Sequence, residues 1–330
     1  MKFLFILVSL FATTHLHAEC SASDVAVLDS GVDLNHRDLR PHLLPGYDSA
    51  DQDSNPQDDL FVTQDGVGDV SGHGTQVTGL VLGAGHSTLR AVQSINCYVR
   101  AMPLKVQKSQ QTYSEWIETD GFSAKAVVDA FRRALNNPSI KVVNASFGLG
   151  AESFDQDLIY LLERAKNQGV FVVVAAGNED WDLDSIFAGI KKTPRLKLCK
   201  KGCKARRYSG SALRKLILAR YPNFVLVGNA DNRTKFVDNG QKLFTSTNFG
   251  RTTVLFATNG ENIWTTNTGG EYTNEASGSS FSAPRISRAL ALLKARYPKD
   301  SFQQILNRLR GAVVPSTNLS GKFITNGYLP

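Results

Sequence analysis

The stretch Glu275-Ala276-Ser277-Gly278-Ser279-Ser280-Phe281-Ser282-Ala283-Pro284 decides how this chain is read. Small residues run into an apolar segment, 286–293, whose composition and length predict a buried helix. A serine at the mouth of such a helix lies where free backbone N–H groups and the helix dipole polarise its surroundings. Gly278 and Ala283 leave room for a second molecule to reach the hydroxyl of Ser280. Serine-rich helix caps are common structural devices, so the segment acquires chemical meaning only beside other groups. Two segments supply them: Val25-Ala26-Val27-Leu28-Asp29-Ser30-Gly31 and Ser71-Gly72-His73-Gly74-Thr75. Together they set an acid, a base and a nucleophile in the order Asp29, His73, Ser280.

A hydroxyl becomes a useful nucleophile only when a base removes its proton during attack. A histidine can act as such a base, and a carboxylate can orient a histidine. Each residue also has a plain reading. An Asp after a strand forms turns, and a His among glycines packs or caps. His36, His42 and His86 are rivals for the base. Order and context, taken jointly, favour chemistry.

Apolar, β-branched runs at 24–28, 99–106, 140–145, 170–175 and 224–227 read as buried parallel strands. Helical spacing covers 124–135, 154–167, 286–296 and 302–309. Their alternation predicts a three-layer, doubly wound α/β domain around a mostly parallel sheet. In such sheets sites gather at the carboxyl ends of strands. Asp29 and Asn178 each follow a strand, and His73 and Ser280 each stand where a helix begins.

These motifs resemble the subtilisin-like serine proteases, the subtilases. Asp29 lies in A-V-L-D-S-G, His73 in G-H-G-T-x-V-x-G, and Ser280 in G-S-S-x-S-A-P, where the family usually has G-T-S-x-A-x-P. Val173-Val174-Ala175-Ala176-Gly177-Asn178 is similar to the segment carrying the family's oxyanion-stabilising asparagine. The resemblance runs from about Val25 to Arg310 and implies a serine endopeptidase of subtilisin-like fold. Asn178 and the Ser280 backbone N–H would bind the oxyanion. Ser146, Phe147 and Gly148 would form the extended edge that pairs with substrate. Gly148, with Ala176 and Gly177, would line the primary specificity pocket. No cofactor is required for this chemistry. Departures are Ser279 for the usual threonine, Gln76 and Arg285 where histidines are common, and Thr258-Asn259-Gly260 for an Ala-Pro-Gly turn.

The first residues, basic Met1-Lys2, then apolar 3–12 up to Ala18, describe a secretory signal peptide over 1–18. The apolar core is too short to span a bilayer, so secretion to the extracellular space or periplasm is expected, without membrane insertion. The peptidase domain is expected over 19–330, with a basic insertion at about 184–218 and no recognisable propeptide domain. In an oxidising compartment Cys20, Cys97, Cys199 and Cys203 favour disulfides. Cys199 with Cys203 leaves Cys20 for Cys97, but the spacing does not select this pairing.

The formal charge is +7. Much of it lies between Lys191 and Lys215, a span without acids, which suits contact with an anionic surface or, more plainly, a solvated loop. Slight aromatic interleaving argues against nucleic acid. Asp48, Asp51, Asp53, Asp58, Asp59, Asp65 and Asp69 raise structural calcium against a simple polar loop; no EF-hand spacing occurs. A protein or peptide is the expected partner. Competing functions are a non-catalytic binding protein on a protease scaffold and a transpeptidase or ligase using the same triad.

Overall fold

All seven residues of the first strand, β1 (Ser23–Asp29), are buried. Val25 and Val27 enter one apolar cluster while Ala26 and Leu28 enter another, so the strand is covered on both faces. That double cover is why its sequence is continuously apolar rather than alternating. The computed structural model describes residues 20, 22–58, 60–62, 68–70, 72–86, 88–109, 124–147, 155–187, 221–231, 235–236 and 247–330. Residues 1–18, Gly148, Cys199, Cys203 and the 191–215 block lie outside the described residues.

Around β1 stand β2 (Tyr47–Asp48), β5 (Val99–Lys105), β6 (Ile140–Ala145), β7 (Phe171–Ala175), β8 (Phe224–Asp231) and β10 (Phe256–Thr258). They run in the order β10-β8-β7-β6-β1-β5-β2, each neighbouring pair parallel. A short antiparallel β9 (Lys235–Phe236) joins β8. Three two-stranded ribbons complete the strands: β3 (Leu60–Val62) with β4 (Gly68–Val70), β11 (Ile263–Thr266) with β12 (Tyr272–Ala276), and β13 (Val314–Pro315) with β14 (Gly327–Tyr328).

On one face of the sheet pack α2 (Ala124–Asn136), α3 (Asp155–Asn167) and α4 (Leu183–Phe187). On the other lie α1 (His73–Leu82), α5 (Ser279–Arg296) and α6 (Phe302–Arg310). The three-layer α/β architecture is therefore the one the strand–helix alternation predicts. Strand and helix limits differ from expectation by a residue or so, with two larger exceptions. β8 continues to Asp231, and α5 begins at Ser279, seven residues before the apolar run that announces it.

The early start of α5 survives a proline. Pro284 has no N–H to offer the Ser280 carbonyl. The first turn is held instead by the Phe281 N–H on Gly278 O, at 3.0 Å, and the Ser282 hydroxyl on Thr258 O, at 2.9 Å. Ile286, Leu290 and Leu292 are buried beneath it. Each such side chain contributes about 1.5–3 kcal/mol by leaving water.

Cys20 and Cys97 are paired as a disulfide, Cα–Cα 5.1 Å. The bridge joins the residues preceding β1 and β5, where Ser23 lies opposite Val99. Among the described residues no helix is long and apolar enough to cross a membrane.

Candidate active site

Asp29 closes β1 and is almost wholly buried; His73 opens α1, which packs across that strand. Their approach follows from topology: a strand ends where a helix on the overlying layer begins. His73 Nδ1 lies 2.7 Å from Asp29 Oδ1, which also accepts the Ser30 N–H at 2.8 Å. Among the described residues Asp29 Oδ2 has no hydrogen-bond partner, so no other side chain competes for that charge.

A second carboxyl group stands behind this pair. Asp58 is buried and accepts from the hydroxyls of Ser30 (3.0 Å) and Thr75 (2.8 Å). The Ser30 hydroxyl accepts the Gly74 N–H, and the Thr75 hydroxyl accepts the Asp33 N–H. Asp58 thus ties the turn after β1 to the first turn of α1. Burial pushes its carboxyl pKa up, partly opposed by these donors. Burial alone would pull the His73 pKa down, but the Asp29 charge, its hydrogen bond and the Asp58 charge outweigh burial. The imidazole therefore titrates above the ordinary histidine value.

Ser280 is the second residue of α5 and is half-buried. The ring of its neighbour Phe281 lies 5.2 Å from the His73 ring, which sets the imidazole beside the first turn of α5. Among the described residues no hydrogen bond joins the Ser280 hydroxyl to His73, and no other protein group engages it. Catalytic contacts in substrate-free sites are commonly long and tighten on binding.

Asn178 follows β7. Its Oδ1 accepts the Ser279 N–H at 2.8 Å, which leaves Nδ2 as a donor without a partner among the described residues. Ser279 also uses its hydroxyl on Gly177, accepting from N (3.1 Å) and donating to O (3.2 Å). Gly278 has φ +132°, and a Cβ there would sit 3.2 Å from Asn178 Nδ2. The spacing of asparagine and serine is thus set by backbone contacts, with no charge involved.

Sequence reasoning passed over Asn248, which is fully buried. Its Oδ1 accepts the N–H groups of Glu179 (3.1 Å) and Trp181 (2.8 Å), and its Nδ2 donates to Ala176 O and the Glu179 carboxylate. It shapes the loop that carries Asn178. The only local signal was an Asn-Phe-Gly turn pattern far along the chain.

The expected substrate edge is partly visible. Ser146 follows β6, but its hydroxyl accepts from Asn144, which in turn accepts from Ser287. Its side chain serves the core, leaving only its backbone for an edge. Phe147 is half-buried, Ala176 is buried and Gly177 is half-buried beside Asn178. At the positions that depart from the family pattern, Gln76 donates to Asn267, and Arg285 donates to Thr258 Oγ1 and Asn259 O. Both hold loops near the helix mouths.

The described carboxylates of this region are engaged in local contacts. Asp48 accepts the Ala50 and Asp51 N–H groups and pairs with buried Lys105; Asp51 accepts the Ser109 N–H and Asp53 that of Asn55. Among the described residues no group of three or more His, Cys, Asp or Glu could hold a metal ion. Asp59, Asp65 and the side chain of Asp69 lie outside them.

A subtilase family model matches residues 21–325. The chain belongs to the subtilase family. This subtilase is 27% identical over 285 residues to the major intracellular serine protease of Bacillus subtilis (strain 168), covering 86% of this chain and 71% of that one. It is 27% identical over 318 residues to subtilisin Savinase of Lederbergia lenta, covering 93% and 89%. Subtilisin-like protease 1 of Plasmodium berghei (strain Anka) is 22% identical, and this chain spans only 48% of its length. Among solved structures, a cold adapted subtilisin-like serine proteinase superposes with TM-score 0.60 at 20% identity, covering 93% of this chain and 86% of that one. A lanthipeptide protease gives the same score at 19% identity, covering 93% and 85%. Both confirm the fold.

Proposed function

We propose that this subtilase, a serine-type endopeptidase, cleaves protein or peptide substrates with Asp29, His73 and Ser280 as its triad. The observation carrying this reading is the His73–Asp29 hydrogen bond of 2.7 Å at the carboxyl edge of the sheet, beside the first turn of α5. Ser280 Oγ attacks the scissile carbonyl, and its proton passes to His73 Nε2, the ring nitrogen that Asp29 does not hold. The tetrahedral oxyanion accepts from Asn178 Nδ2 and the Ser280 N–H. Collapse expels the amine, which takes the proton from His73, and water then repeats the cycle on the acyl-enzyme.

Secretion is part of the proposal. The basic-then-apolar opening and the Cys20–Cys97 disulfide support it, since such bonds persist in oxidising compartments. The basic 191–215 block is proposed to meet anionic surfaces. A fluorophosphonate probe with peptide mapping tests the triad. Label on Ser280, lost in His73→Ala, supports it. Folded protein that takes no label, or takes it on another serine, refutes it.

A further inference from the structure

The end of α1 remote from His73 carries a feature that catalysis does not use. There the chain turns through Gly83 and Gly85, with φ of +94° and +61°. A Cβ at Gly83 would lie 2.6 Å from the Arg288 guanidinium carbon, and one at Gly85 would lie 2.6 Å from Cδ1 of Trp264. The two glycines let an arginine of α5 and an indole of β11 close on a cavity of about 890 Å³. Val92 and Leu292 give it apolar wall, and Gln93 and Asn96 place amides on its lining. Trp264 is held by stacking on Tyr272, with centroids 5.5 Å apart, yet remains 49% exposed.

Arg288 is the unusual member. Its Nε donates to Thr88 Oγ1 at 2.9 Å and its Nη1 to Val81 O at 3.1 Å. Among the described residues no acceptor meets Nη2, and no carboxylate pairs with the guanidinium. Burial holds its pKa below the usual guanidinium value, though the group stays charged at neutral pH. A cation withdrawn from water without a counter-ion is costly, which favours any anion that reaches it. Capping a carbonyl at the end of α1 explains the Nη1 contact and the Thr88 hydroxyl takes Nε, but the Nη2 edge is left unused among the described residues.

The geometry points to a binding site for a small amphipathic oxyanion, a carboxylate on a flat apolar body. The carboxylate would take the free edge of Arg288, and the body would lie among Trp264, Val92 and Leu292. This site is independent of the triad assignment.

Thermal unfolding of the full chain, titrated with sodium benzoate, inorganic phosphate or sodium chloride at matched ionic strength, tests it. Benzoate should raise the melting temperature saturably, and more than phosphate does. Arg288→Met should weaken benzoate at least about tenfold, the loss expected for one charge-assisted contact. Should that variant fail to fold, Gln93→Glu, an exposed substitution on the lining, keeps Arg288 while setting a competing carboxylate at the cavity and should weaken the benzoate shift. An unchanged melting temperature in the natural chain overturns the proposal. So does a benzoate shift no larger than that of phosphate, or one preserved in either variant.

Discussion

The two halves of the proposed triad are positioned by different forces. The acid–base half rests on charge: buried Asp29 and Asp58 face His73, and hydroxyls of Ser30 and Thr75 lock the supports together. The nucleophile half rests on shape and backbone: Ser279 bridges Gly177, Asn178 accepts the Ser279 N–H, and Gly278 occupies a conformation side chains avoid. Substitutions in the first half should therefore change how activity depends on pH. In the second half they should lower turnover at every pH alike.

The largest effect is expected for Ser280→Ala. Turnover of a peptide substrate should fall about 10⁶-fold, the scale established for subtilisin itself. Asp29→Asn should cost about 10⁴-fold, again on the scale of known triads, because the imidazole loses its tautomer and its counter-charge together. The acid limb of kcat/KM should move to lower pH in that variant. A limb that stays put would show that Asp29 does not set the histidine's charge.

Asn178→Ala should lower kcat about 10²–10³-fold, the loss measured for the corresponding subtilisin donor, with KM nearly unchanged. Gly278→Ala should act in the same direction by pressing on Asn178, and the pH profile should keep its form in both variants. If either one shifts the acid limb, the two halves are coupled more closely than their contacts suggest.

The smallest effect belongs to Asp58→Asn. In the natural chain the acid limb should lie above 6.5, since His73 is raised from that ordinary value and only its neutral form accepts a proton. Asp58 contributes to the raising. Removing its charge lowers the His73 pKa, so the neutral imidazole persists further into acid and the limb moves to lower pH. A pH–rate profile with one substrate checks it, and a move to higher pH would contradict the sign.

Much of this is legible in the sequence. Strands such as Ile140–Ala145 announce themselves because burial on both faces demands an unbroken apolar run, and burial is written locally. The order Asp29, His73, Ser280 was legible for a related reason: each stands at a strand or helix terminus, and termini carry turn and cap signals. The early start of α5 at Ser279 was not legible, since the effect of Pro284 on a helix depends on what packs around it. Nor was it legible that the Ser146 hydroxyl meets Asn144 within the core, since Asn144 is held there by Ser287 of α5.

The sequence by itself determined the layered fold and the candidate acid, base and nucleophile, because apolar periodicity and motif context survive without knowledge of neighbours. Only the tertiary structure decided that Asp58 stands behind Asp29, that Asn248 shapes the Asn178 loop and that Cys20 meets Cys97. It alone decided that Arg288 meets no carboxylate among the described residues. Those facts depend on strand order and helix packing, which bring together residues tens of positions apart, and no local pattern records a contact of that range.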